Sequence, residues 1–358
     1  MITKKPKVLV ALSGGVDSSV AAFLLREAGY EVTGCFMKFW SDPRVSRENP
    51  CCSIEAERRA RILARQLKIP FYVLDLRREF KRKIVDYFLK QTKQGLTPNP
   101  CVICNQEIKF GLFLERALSQ GADFMATGHY ARIKQGRLLK GTDKEKDQSY
   151  FLWRLKSKQL RRVLFPVGGY TKKEVRAMAA RYHLSTAQTE ESQNLCFLAN
   201  GVDDFLKLNL KSKPGRIVDV AGTVLGRHPG LGFFTLGQRW GIGRWLEASR
   251  QSQGPYYVLR KDRRKNLLVV TKNEKDLLTE EFKVSDVNFV LNLVKHEFPL
   301  KVKVKIRSRQ KEVPATLCKT KKSNQILVKL ARAERAVTPG QSAVFYKGEE
   351  VLGGGVIV

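Results

Sequence analysis

Over its first 135 residues the chain alternates apolar runs with helical periodicity, a rhythm that few folds accommodate. VLVAL at 8–12, EVTGCFM at 31–37, FYVLDL at 71–76 and FMATGHYARI at 124–133 read as strands. Apolar spacing predicts helices over 18–28, 54–67, 79–92 and 110–119. Strands this rich in apolar residues are buried on both faces, so the expectation is an α/β domain with a parallel sheet covered by helices. From about Lys211 the rhythm changes to Gly- and Pro-punctuated runs, GRIVDV, GFFTLGQ, PYYVLR and NLLVVT, which predict a small central β-rich domain. After about Phe282 only strand patterns remain (KVKVKIRSR, ATLCK, QILVKL, SAVFY, VLGGGVIV), and they predict a C-terminal β-barrel. A chain of 358 residues exceeds what one core organises, and three domains are expected, at 1–208, 209–281 and 282–358.

Charge narrows the partners. Sixty-six Lys and Arg stand against 34 Asp and Glu, a formal net charge of +32 that exceeds any need for solubility and suits a long polyanion. Nucleic acid is the leading partner; an anionic membrane or a generally basic proteome are the blander explanations. No run approaches the roughly 20 apolar residues of a membrane span, and MITKKPKVLVALSGG passes from a basic tail straight into a strand, so a cytoplasmic protein without a membrane partner is expected. Seven scattered cysteines, an odd count, argue against a disulfide framework and for metal or reactive-thiol roles.

SGGVDSS at 13–19 lies between the first strand and a helix. Gly14 and Gly15 permit a tight turn and close approach to a ligand, and the helix N-terminus offers N–H groups to phosphate. Ser13, Ser18 and Ser19 add hydroxyls. Asp17 would repel phosphate unless a cation intervened, which suggests Mg2+. A serine-capped helix after a glycine turn is the plain structural alternative. The segment lacks the GK[ST] of a P-loop and the GxGxxG of a dinucleotide fold. It resembles the PP-loop of ATP pyrophosphatases, which adenylate a substrate and release pyrophosphate.

Further blocks follow in order: FMKFW at 36–40, TPNPCVICNQEIKFG at 97–111, ATGHYAR at 126–132, KDQSYFL at 146–152, LFPVG at 164–168, CFL at 196–198, TLGQRWGIG at 235–243 and TPGQSAVFY at 338–346. Together they resemble the tRNA-uridine 2-sulfurtransferase family, the 2-thiouridylases, over nearly the whole chain. The resemblance implies a PP-loop domain, a small central domain and a β-barrel. It implies adenylation of the 2-carbonyl oxygen of the wobble uridine in the anticodon arm of tRNA, then displacement of AMP by sulfur brought by a donor protein or a sulfide source. Ala11, Leu12, Ser13, Gly14, Gly15, Val16, Asp17, Ser18, Met37 and Gly128 would line ATP. Asn99, Pro100 and Cys101 would meet the target base; Lys146, Asp147, Gln148, Arg307 and Ser308 would touch tRNA. Cys104 matches the family's nucleophile and Cys196 its persulfide-carrying cysteine.

The chemistry of these residue types agrees. An adenylated carbonyl is a good electrophile, and a protein thiolate can carry sulfane sulfur as a persulfide. His129 is either a phosphate-orienting group or a structural hydrogen-bond partner. The commonly described family pattern has Asp at position 101; with Cys there, Cys101, Cys104 and Cys196 form a three-thiolate set. Structural zinc is disfavoured, because it takes four ligands and no second CxxC completes a site. A [4Fe-4S] cluster with one open iron, able to present hydrosulfide, stays open beside persulfide transfer. Cys51 and Cys52 precede a helix near Ile54, where thiolates are favoured, though packing or capping explains them more simply. Cys35 and Cys318 lie in strand patterns and are expected in the core.

KVKVKIRSRQK at 301–311 alternates strictly, which puts Lys301, Lys303, Lys305, Arg307, Arg309 and Lys311 on one strand face. Six like charges in a row favour a polyanion over a merely solvated face. Lys81, Arg82 and Lys83 extend that track or form an ordinary helix surface. Two other functions compete: a PP-loop amide or amidine synthetase acting on a small acid, and a non-catalytic RNA-binding protein with a decayed loop.

Overall fold

A computed structural model describes residues 5–44, 52–190, 195–198, 201–247, 254–291, 298–322 and 324–358. The elements of the first domain run β1 (Lys7–Ala11), α1 (Val16–Glu27), β2 (Glu31–Lys38), α2 (Ile54–Gln66), β3 (Phe71–Asp75), α3 (Arg77–Phe80), α4 (Asp86–Lys93), α5 (Pro100–Cys104), α6 (Leu114–Ser119), β4 (Phe124–Ala126), β5 (Ala131–Lys134), β6 (Arg137–Lys140), α7 (Ser157–Leu160), β7 (Val163–Leu164) and α8 (Lys172–Arg181). Five of these strands form a parallel sheet in the order β3-β2-β1-β4-β7. Alternation along β1 divides the core: Val8 and Val10 pack with α1, α2 and α8, while Leu9 and Ala11 pack with the α5–α6 segment and with barrel residues Val344, Tyr346 and Val351. The first and last domains therefore share one hydrophobic core.

Two helical segments are longer than expected, and both carry π-winding. Lys81–Val85 joins α3 to α4, and Asn105–Phe113 joins α5 to α6, so the helix expected from Phe110 begins at Pro100 and takes in both cysteines of TPNPCVICN. Proline at the first helical position leaves no N–H wasted, and Asn99 Oδ1 accepts from Val102 N at 3.4 Å.

FMATGHYARI is not one strand. β4 stops at Ala126, and β5 pairs with β6 in a different sheet. The chain breaks away because residues 127–130 cross the start of α1: a Cβ on Gly128 would come within 2.7 Å of Ser18 N.

After α9 (Val202–Asn209), the central domain holds β8 (Gly215–Val218), β9 (Val224–His228), β10 (Tyr257–Asp262) and β11 (Leu267–Thr271), ordered β10-β11-β8-β9. GFFTLGQ, expected as a strand, is a 3-10 turn at Leu231–Phe233 followed by a loop. Its Gly232 lies against α4, with Thr92 O 3.0 Å from the position a Cβ would take.

The barrel comprises β12 (Leu278–Phe289), β13 (Leu300–Lys305), β14 (Val313–Lys319), β15 (Gln325–Arg335), β16 (Ser342–Lys347) and β17 (Glu350–Ile357), closed by pairing of β12 with β17. The β5–β6 hairpin joins its sheet through Glu350 opposite Leu139. β13 ends at Lys305, so the six-charge row is cut to Lys301, Lys303 and Lys305; Arg307, Arg309 and Lys311 lie in the following turn. Lys305 is turned inward, 3.5 Å from Asp147 and over the Tyr346 ring. Cys35 is fully buried, but Cys318 is half-buried, because Leu317 takes the inward position on β14.

Candidate active site

At the C-terminal end of the parallel sheet, a cavity of about 400 Å3 brings the expected residues together. Ala11, Leu12, Ser13, Asp17, Ser18, Met37 and Gly128 line one part, and Pro100, Cys101, Cys104, Gln148 and Cys196 line another. Ligands of open α/β sheets sit at this end of the strands.

The loop is built by its own hydroxyls. Ser18 Oγ accepts from Ser13 N at 3.2 Å and donates to Gly15 O at 3.0 Å, and Ser19 Oγ donates to the same carbonyl at 2.9 Å. Gly14 takes φ +73°, and a Cβ there would strike Ala56 O at 2.3 Å, so the left-handed turn and the contact with α2 both require glycine. Arg59 Nε donates to Gly14 O at 3.1 Å and fixes the same turn from α2. Gly15 caps α1, and Val16, its first residue, points into the core.

Asp17 is held from two sides. Its Oδ1 accepts from Tyr130 OH at 2.7 Å and from Lys172 Nζ at 2.6 Å. Lys172 is itself buried at the start of α8, which the Thr171–Glu174 capping box anchors. The cation that Asp17 called for in the sequence is thus supplied in part by the protein.

Lys109 and His129 form a second polar group in the cavity. Lys109 is five residues beyond Cys104, and the wider π-winding of Asn105–Phe113 brings it back toward the same side, where both line the cavity. Lys109 Nζ lies 3.4 Å from His129 Nε2; ammonium can only donate, so Nε2 accepts and Nδ1 carries the proton toward Thr127 Oγ1 at 2.6 Å. Burial, then the Lys109 charge, push the imidazole well below its ordinary pKa and keep it neutral.

The sulfur side is aromatic and enclosed. Cys104 is buried in a cluster with Phe80, Phe88, Phe197 and Phe205, and Cys101 and Cys196 are half-buried. Cys52, just ahead of Ser53 at the start of α2, also lines the cavity, while Cys51 lies outside the described residues. The Cys35 thiol differs: it lies outside the cavity lining, bonded to Tyr72, and burial pushes its pKa to about 12. Among the described residues, no three His, Cys, Asp or Glu side chains are arranged to hold a single metal ion.

Asn99, Lys146, Asp147, Arg307 and Ser308 are not among the lining residues, whereas Gln148 is. Asn99 caps α5, and its side chain bonds that of Tyr150, whose hydroxyl donates to Ser342 O at 2.8 Å. Asp147 is turned inward and accepts from Gly141 N, Ser149 N and Ser149 Oγ at 3.0–3.1 Å. Its neighbour Lys146 is half-buried. Gln148 braces the 127–130 crossing, its Oε1 accepting from Tyr130 N at 2.9 Å. Arg307 and Ser308 follow β13, where Arg307 Nη2 donates to Ala336 O at 2.9 Å. Sequence reasoning missed Lys109 and Lys172; the spacing of Lys109 from Cys104 was available, but only the π-winding gives it meaning.

Family models match three successive regions: a tRNA methyl transferase HUP domain at residues 6–200, a tRNA methyl transferase PRC-barrel domain at 203–272 and an aminomethyltransferase β-barrel domain at 279–357. The chain is 46% identical to the tRNA-specific 2-thiouridylase MnmA of Syntrophomonas wolfei over 98% of its length and 99% of the relative's. It belongs to the tRNA-specific 2-thiouridylase family. The Thermus thermophilus member is 45% identical, over 98% of this chain and 94% of that one, and the Carboxydothermus hydrogenoformans member 44%, over 99% and 98%. As a 2-thiouridylase-family chain it carries the expected architecture of HUP-type parallel-sheet domain, central domain and C-terminal barrel. Its fold is of the ATP-using PP-loop type, and no described helix is long and apolar enough to cross a membrane.

Proposed function

We propose that this chain is an ATP-dependent tRNA sulfurtransferase that converts the wobble uridine of the anticodon arm, position 34, to 2-thiouridine in the cytoplasm. The observation that carries the reading is the shared cavity: the SGGVDSS loop and Gly128, which suit ATP, open onto the same space as Cys101, Cys104 and Cys196. Residues 1–208 perform the chemistry, 209–281 form the small central domain, and the barrel at 282–358 contacts the tRNA.

The uridine O2 attacks the α-phosphorus of ATP and pyrophosphate leaves, so C2 acquires AMP as its leaving group. Asp17, whose carboxylate is shared with Lys172, would hold Mg2+, and that ion would supply neutralising charge for the triphosphate. A sulfur-donor protein loads Cys196 as a persulfide. The terminal sulfur attacks C2 and AMP departs with the uridine oxygen. Cys104 thiolate then attacks the Cys196 sulfur, which frees the thiocarbonyl and leaves a Cys104–Cys196 disulfide for an external thiol to reduce. Asn99, Pro100 and Cys101 meet the base, while Lys146, Asp147, Gln148, Arg307 and Ser308 meet the surrounding tRNA.

A second reading draws on Cys101, a thiol where the family commonly has Asp. Cys101, Cys104 and Cys196 share the cavity lining, and a [4Fe-4S] cluster held by these three thiols would supply an open iron for hydrosulfide from a sulfide source.

The test is ATP–pyrophosphate exchange with and without tRNA, together with thiolation followed by retardation on a mercury-containing gel. Exchange that requires tRNA, with a retarded product, is expected. Exchange driven by a small acid without tRNA would point to an amide synthetase, and tRNA binding without exchange to a non-catalytic RNA-binding protein.

A further inference from the structure

Trp240 is 82% exposed, the most exposed large apolar side chain among the described residues. Nothing in the chemistry described above uses it. A singly exposed apolar side chain is ordinary, but an indole held outward on a braced loop beside guanidinium groups presents a flat face to a planar partner. The scaffold is specific. Gln238 accepts from Thr235 N through Oε1 and donates to Trp240 O through Nε2, both at 2.9 Å, so the loop backbone is braced under the ring. The Arg239 guanidinium lies 5.5 Å from the ring centroid.

The position matters as much as the exposure. Gly237, at φ +74°, lets this loop touch the barrel, where a Cβ would come within 2.5 Å of Ala336 Cβ. Arg335 Nη2 donates to Gly237 O at 3.1 Å, and Arg307 reaches Ala336 O beside it. Burial and the neighbouring Arg335 charge both push the Arg307 pKa down; two guanidinium groups pressed together are relieved by an anion, although Glu274 already sits 3.2 Å from Arg335. Thr235 Oγ1 lies 3.3 Å from Thr97 Oγ1, which ties the loop to the segment that carries Asn99 and Cys101.

We propose that Trp240, with Arg239, is a stacking platform for an unpaired nucleotide of the RNA substrate, holding the RNA across the central domain and barrel beside the catalytic segment. The inference rests on the tRNA reading and deepens it. An exposed aromatic stacks any base, and the adjacent guanidinium groups take the phosphates on either side. A paired base would not be available to the ring, so the platform selects unpaired RNA over duplex.

The experiment measures the Kd of unmodified tRNA and of a blunt RNA duplex of equal charge, at one salt concentration, for the parent, Trp240→Ala, Trp240→Tyr and Arg239→Gln. Base–aromatic stacking predicts roughly a tenfold loss of tRNA affinity for Trp240→Ala. Trp240→Tyr should stay within about threefold of the parent, since it keeps a ring to stack on. Trp240→Ala should leave duplex binding unchanged, while Arg239→Gln weakens both ligands. Parent-like tRNA binding by Trp240→Ala, or an equal loss on tRNA and duplex, would overturn the proposal. A parent that fails to bind tRNA at all would instead remove the tRNA reading beneath it. Because the ring is exposed, the Trp240→Ala melting temperature should match the parent's, and that measurement separates lost stacking from lost fold.

Discussion

Lys172 Nζ and Asp17 Oδ1, 155 residues apart in sequence, lie 2.6 Å from each other at the mouth of the nucleotide loop. Lys172 is nearly enclosed and Asp17 about a third exposed, so the pair is stronger than a surface ion pair and weaker than a fully buried one. Lys172→Met should therefore destabilise the fold by about 1–3 kcal/mol and weaken ATP binding, because the freed carboxylate repels phosphate. Asp17→Ala should abolish pyrophosphate release while leaving tRNA binding largely intact. In the double variant the stability losses should add to less than their sum, as thermal unfolding of all four proteins would show. Strict additivity would mean that the pair is not coupled.

His129 predicts a pH dependence. The buried imidazole is held neutral well below its ordinary pKa, whereas in the unfolded chain it titrates near 6.5. Below that pH the unfolded state binds a proton that the native state refuses, so stability falls as pH falls, by up to about 1.4 kcal/mol per pH unit. His129→Gln should lose this slope. Urea unfolding of parent and variant at pH 7.5 and 5.5 is the check, and equal slopes would assign the acid sensitivity to other groups.

The sheet strands and the first two helices were legible because their signals are local: apolar alternation, a glycine turn, a serine cap. What could not be read depends on residues distant in sequence. The break after Ala126 exists because Gly128 crosses the start of α1, and no feature of FMATGHYARI announces that crossing. The grouping of Cys101, Cys104 and Cys196 around one cavity followed from the family resemblance rather than from their spacing. The inward turn of Asp147 and Lys305 was invisible for a further reason: a charge pattern gives each residue's face on an ideal strand, and β13 ends at the second of these residues.

That shortened strand changes what the basic row should do. Lys301 and Lys303 remain exposed on β13, whereas Lys305 is committed to Asp147 and Tyr346. Lys301→Gln with Lys303→Gln should weaken every tRNA substrate alike and flatten the salt dependence by about 0.9 per lost phosphate contact, by analogy with duplex DNA. Lys305→Gln should lower the melting temperature and leave the salt slope unchanged. Kd measured across a salt series distinguishes them; a slope altered only by Lys305→Gln would place the RNA on the other side of the strand.

The cysteines separate the two sulfur routes. Cys104→Ser and Cys196→Ser should each end thiolation, since both thiols line the cavity and each is required by persulfide transfer as well as by a cluster. Cys35→Ser should not, because that thiol is fully buried outside the cavity lining, with its pKa pushed up to about 12. The two routes part at Cys101→Asp. Persulfide transfer asks no thiol of that position, and the substitution restores the residue common in the family, so thiolation near the parent level is expected without added iron. A cluster would lose one of three ligands, and carboxylate is a harder, poorer partner for its iron. Anaerobic thiolation by Cys101→Asp, with and without iron and sulfide reconstitution and with iron analysis of each sample, gives the comparison. Loss of both iron and activity in that variant would replace the persulfide route with the cluster.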